Sequence, residues 1–141
     1  MGTPWTLKPV ILVTEDDQET CFALRVPHRG IIRTIRFRQI SGADAACEVD
    51  LYNKEDACPP GSSMSSSGQT EGDRAMYKVI DTMTLASGGS IELFNQNYQY
   101  RNQDGTYSVP VRRLYLALTP GTTGTKEWEI SLDIEMAPLT S

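Results

Sequence analysis

The chain has one histidine, His28, in the segment Pro27-His28-Arg29-Gly30. Acyl transfer of the Ser–His–Asp or Cys–His kind would rest wholly on it, and no nucleophile elbow G-x-S-x-G accompanies it. Proline and glycine mark a turn, so His28 reads as a solvated turn residue. Serines cluster within residues 53–75, a stretch that would hold a catalytic geometry poorly. Glu15, Asp16, Asp17 and Glu19 form the densest carboxylate group. Their hard oxygens suit Ca²⁺, but the D-x-[DN]-x-[DN]-G loop is missing, and the expectation is a solvated acidic turn without metal. Carboxylate pairs for glycoside hydrolysis occur in any chain with 18 acidic residues and discriminate nothing. A P-loop and a G-x-G-x-x-G after a strand are both missing, so nucleotide binding has no support.

Three further groupings carry polar or reactive chemistry. Cys21, Cys47 and Cys58 are odd in number and lack C-x-x-C spacing, which argues against a disulfide framework and a structural zinc site. They are expected to be small buried thiols of a chain folded in a reducing cytosol. Arg33, Arg36 and Arg38 could meet a phosphate or an acidic partner, but pairing with acids on neighbouring strands is the simpler expectation. Tyr98 and Tyr100 would share one face of a strand over 97–101, framed by Asn95, Gln96, Asn97, Gln99 and Asn102. Aromatic rings among amides suit a sugar-binding surface or a protein interface, and also describe a plain polar edge hairpin. No catalytic residue, metal site or cofactor site is assigned.

These residues need elements to position them. The clearest is KEWEISLDIEM (126–136), where Trp128, Ile130, Leu132, Ile134 and Met136 alternate with Glu127, Glu129, Ser131, Asp133 and Glu135. A period of two places the apolar row on one face of a strand and the acids on the other. PVILVT (9–14) reads as a first strand, followed by the acidic turn and by 20–26, where Phe22, Leu24 and Val26 alternate. In 31–40, Ile35 and Phe37 oppose Arg36 and Arg38, and in 46–52, Cys47, Val49 and Leu51 oppose Glu48 and Asp50. A hairpin of these two strands would pair the arginines with Glu48 and Asp50. Residues 76–80, 90–94 and 112–118 complete the strands, and the Leu114, Leu116 and Leu118 row is expected beside the Trp128 row in one sheet.

Eight or nine short strands separated by turn signals, with no amphipathic helix, define an all-β chain. The expected architecture is an antiparallel β-sandwich of jelly-roll or Greek-key type, with a barrel as the alternative. At 141 residues, 39% hydrophobic, the chain is one domain with a two-layer core. We read an N-terminal arm over 1–8, a domain over 9–136 with a long Ser/Gly/Pro-rich loop over 53–75, and a tail over 137–141. The net charge of −5 argues against generic nucleic-acid or anionic-membrane binding. The longest apolar run, Val10 to Val13, is too short to span a bilayer. MGTPWTLKPV lacks the flanks of a signal peptide and, despite Gly2 and Thr6, is read as unmodified.

The run VPHRGIIRTIRFRQISG leading into CEVDLYN and then VPVRRLYLAL resembles the small all-β structural proteins of tailed-phage virions, with capsid decoration (cement) proteins the nearest subset. The resemblance implies a non-enzymatic protein, assembled in the host cytoplasm, that binds the outside of a capsid against the major capsid protein. It also implies a homo-oligomer, such as a trimer, working through arms and loops. Partner contacts are then expected at Trp5, Leu7, Met64, Tyr98, Tyr100, Asn102 and Leu139. The competing expectation is a carbohydrate-binding sandwich centred on Tyr98, Tyr100 and Asn102.

Overall fold

A computed structural model describes residues 3–27, 30–61, 74–94, 98–99 and 113–136. Among the described residues nine strands form: β1 Thr3–Thr14, β2 Thr20–Arg25, β3 Gly30–Ser41, β4 Cys47–Tyr52, β5 Met83–Leu85, β6 Ser90–Leu93, β7 Tyr98–Gln99, β8 Arg113–Pro120 and β9 Lys126–Met136. They build two antiparallel sheets, β1-β9-β3-β6 and β2-β8-β4-β5, with the two-residue β7 continuing the line of β6 along β3.

The pairing is nested. β1 pairs with β9, β2 with β8, β3 with β6 and β4 with β5, as in one long hairpin. Rolling that hairpin up joins β9 to β3 and β8 to β4. The result is the jelly-roll sandwich. Among the described residues no strand pairs from one sheet to the other, so the barrel alternative does not form.

β9 is the hub because it is central in its sheet and alternates without a break. Trp128, Ile130, Leu132 and Ile134 are buried, while Met136 at the strand end is half-buried. Trp128 stacks on Phe37 of β3, with ring centroids 5.6 Å apart, and its Nε1–H donates to the buried Thr14 hydroxyl at 2.8 Å. The leucine row of β8 packs from the opposite sheet into the same core. It therefore faces the Trp128 row across the sandwich rather than lying beside it, because residues 121–125 carry the chain from one sheet to the other.

A similar crossing replaces the expected β3–β4 hairpin. β3 and β4 lie in different sheets, and Gln39 holds the turn between them. Its Nε2 donates to the carbonyls of Ser41 and Ala43, and its Oε1 accepts from the Ala45 N–H. Gly42 (φ 90°) passes so close to the other crossing that a Cβ would lie 2.6 Å from the Thr125 carbonyl oxygen. A period of two specifies which face a side chain takes, not which strand it neighbours.

The expected N-terminal arm is also sheet. Thr3 to Leu7 pair with Met136 to Leu132, and Trp5 and Leu7 pack against the main core. Pro4 and Pro9 are tolerated because β1 is an edge strand and one of its sides needs no donors; Pro9 sits in the register shift between Leu7 and Val10. Residues 76–80 form a turn with a single bridge from Lys78 to Tyr52 instead of a strand, and β5 follows it.

A closed face and an open face

Part of the outer face of the β2-β8-β4-β5 sheet, over Cys21, Tyr52, Tyr115 and Ala117, is covered by the chain itself, while Ala23, Arg25, Glu48, Thr84 and Arg113 stay exposed. After β4, residues 53–61 turn through one 3₁₀ turn, Glu55–Ala57, and Cys58 forms a disulfide with Cys21 of β2, with Cα atoms 5.5 Å apart. This corrects the expectation of three free thiols. Cys21 and Cys58 are 37 residues apart in sequence, and only the folding of the cover over β2 brings them together. Main-chain bonds add to it: the Gly61 N–H donates to the Cys21 carbonyl at 2.7 Å and the Val79 N–H to the Leu51 carbonyl at 2.8 Å.

Arg74 locks the far side of the cover. Its guanidinium is buried, donates to the Glu19 carboxylate at 2.8 Å and lies over the Tyr52 ring at 4.5 Å. Glu19 thus serves as an anchor. The rest of its acidic turn is closed locally, the Asp16 carboxylate accepting from the Gln18 N–H at 2.9 Å. Cys21, Tyr52, Ala57, Cys58, Tyr115 and Ala117 form a second small core under the cover, with Tyr77 at its margin. Burial raises the Tyr115 pKa, and the charge of Glu55 adds to the effect. Parts of the expected 53–75 loop are therefore ordered structure, while 62–73 lies outside the described residues.

The outer face of the β1-β9-β3-β6 sheet has no such cover among the described residues. It carries a ladder of ion pairs between β3 and β9: Arg33 to Glu135 at 3.0 Å, Arg36 to Asp133 at 3.3 Å and Arg38 to Glu129 at 3.0 Å. The Ser41 and Thr6 hydroxyls extend it, donating to Glu127 and Asp133. The arginines do pair across strands as expected, but with β9 rather than with Glu48 and Asp50; Asp50 pairs instead with Lys78 at 3.3 Å. Phe94 flanks the ladder on one side, half exposed and 5.3 Å from the Arg36 guanidinium carbon, and Ile11 and Val13 of β1 flank it on the other. Arginine and aromatic side chains in one exposed patch are what protein interfaces enrich.

The candidate contact residues separate clearly. Trp5, Leu7 and Tyr98 are half-buried against the main core, so they support the sheet more than they present a surface. Met64, Tyr100, Asn102 and Leu139 lie outside the described residues, as does His28. Among the described residues no group of three His, Cys, Asp or Glu side chains is placed to hold a metal ion. No helix there is long and apolar enough to cross a membrane. Cys47 is a free buried thiol whose pKa is raised to about 12 by burial, so it is no nucleophile at neutral pH.

Sequence reasoning missed Lys126. Its even position puts it on the core face of β9, where it is buried and its ammonium turns back into the 121–125 crossing. There Nζ donates to the carbonyls of Thr122, Thr123 and Gly124 at 3.0, 2.6 and 3.2 Å, using all three donors. The parity was legible; a lysine at the first core position of a strand was the available signal.

Set against known proteins, the chain matches no protein family and no curated sequence.

Proposed function

We propose that the protein is a non-enzymatic structural module of a virus particle, a capsid decoration (cement) protein of a tailed phage. It binds the outer surface of the shell, against the major capsid protein, through the open face of the β1-β9-β3-β6 sheet. The observation that carries this reading is the asymmetry of the sandwich: the chain's own stapled cover closes part of one outer face, over Cys21, Tyr52, Tyr115 and Ala117, while the other, uncovered among the described residues, presents Arg33, Arg36, Arg38 and Phe94. Jelly rolls serve as capsid and lectin domains among other roles, so the fold alone does not choose the function. The disulfide favours a protein that works outside a reducing cytosol, as a virion surface does.

Shell contacts move in this reading from the termini to the sheet, since residues 3–8 belong to β1. The glycan alternative has weaker support, because Tyr98 packs inward and its companions lie outside the described residues. The test is co-sedimentation with capsid shells. The wild type should pellet with shells, and Arg36→Glu with Arg38→Glu should remove binding without unfolding the protein. Equal binding by the double variant would sink this face as the contact.

A further inference from the structure

β1 is a twelve-residue edge strand, and among the described residues nothing pairs with its side away from β9. Its second half, Val10 to Thr14, has no proline and no charge, and Ile11 and Val13 are 55% and 48% exposed on the outer face. An uncovered apolar edge of this kind is a template for pairing with another strand. The first half is blunted by Pro4 and by Pro9 at the register shift, so pairing is confined to 10–14.

We propose that this edge pairs with the same edge of a second copy, antiparallel about a two-fold axis through Leu12. The charges flanking the segment select a second copy and this orientation. Lys8 precedes it, Glu15, Asp16 and Asp17 follow it, all are exposed, and none is ion-paired among the described residues. Antiparallel self-pairing centred on Leu12 sets Lys8 of each copy against Glu15 and Asp16 of the other, at both ends at once. A parallel arrangement would align like charges. The same register keeps faces consistent: Ile11 meets Val13 of the second copy on the outer face, and Val10 meets Thr14 on the core side. The two sheets that contain β1 would become one continuous sheet, with both charged ladders on one side. Five residues per copy make a small contact, so the dimer is weak and depends on concentration.

The pairing adds the partner copy to the proposed shell role without depending on it, because its test needs no shells. Sedimentation equilibrium and light scattering should show 15.6 kDa monomers giving way to dimers as concentration rises. Ile11→Lys with Val13→Lys, both at exposed positions, should weaken dimerisation roughly tenfold or more with an unchanged circular dichroism spectrum. Lys8→Glu should weaken it a few-fold, and adding Asp16→Lys, the position opposite in this register, should restore it. A monomer at every concentration, or a dimer indifferent to the edge lysines, overturns the proposal. So does a monomer whose edge lysines abolish shell binding, which would assign the edge to the capsid.

Discussion

Reduction of the Cys21–Cys58 disulfide tests the stapled cover most severely. The bond closes a loop of 37 residues' separation that spans β3, β4 and the first part of the cover. Chain entropy for a loop of that length gives a stabilisation of about 4 kcal/mol at 25 °C, acting through the unfolded state. In a domain of this size each kcal/mol moves the melting midpoint by about 3 °C, so reduction should lower Tm by roughly 8–15 °C. The assay is calorimetry of the protein with and without a phosphine reductant, repeated on Cys21→Ser with Cys58→Ser. Cys47 does not complicate it, because burial holds that thiol's pKa at about 12 and keeps it protonated. The reduced protein should also exchange the Gly61 and Val79 amides faster, since their acceptors Cys21 and Leu51 lie under the cover. A Tm shift below about 2 °C, or three titratable thiols in the unfolded, unreduced chain, would refute the reasoning.

Three other outcomes follow from the packing. The Cys47 thiol ionises near pH 9 when unfolded and near 12 when folded, so between these values the unfolded chain binds fewer protons and stability falls as pH rises. Urea titrations should show a loss of about 2 kcal/mol between pH 9 and 10.5, with Tyr115 adding in the same direction above pH 10, and Cys47→Ala should remove the cysteine share. Deleting residues 1–8 removes the β1 pairing from Thr3 to Leu7 and the packing of Trp5 and Leu7, so it should cost about 2–4 kcal/mol in urea unfolding; an unchanged midpoint would restore the free arm. Lys126→Met leaves three carbonyls without their cation and should cost about 2 kcal/mol, with faster amide exchange at Gly124, whose N–H donates to the Glu15 carbonyl.

Alternation made the strands legible, because burying one face of a sheet forces a period of two whatever the neighbours are. The rows of β9, β8, β3 and β4 all take the faces their patterns require. Neighbour identity was not legible. Arg38 finds Glu129 directly opposite and Arg36 finds Asp133 on the diagonal of β9 as readily as they would find acids on β4, and only the nested topology decides between them. β5, three residues long, is too short to show a period. The first half of β1 was not legible, because the tolerance of its prolines depends on an edge position that appears only once the sheet is assembled. The disulfide was hidden for a related reason: Cys58 follows an irregular segment whose path over β2 comes from burying Ala57 and Tyr52, not from local spacing. For the candidate site, the expected arm pointed to contacts at Trp5 and Leu7 and the aromatic–amide pattern to Tyr98, yet the geometry packs those side chains against the core and leaves the β3–β9 ladder outside.

The most direct test of the assembly reading is co-sedimentation of the purified protein with capsid shells, wild type beside Arg36→Glu with Arg38→Glu. Stoichiometric pelleting of the wild type and loss of pelleting by a variant that keeps its fold is the expected result. A wild type that stays in the supernatant at every shell concentration would contradict the account.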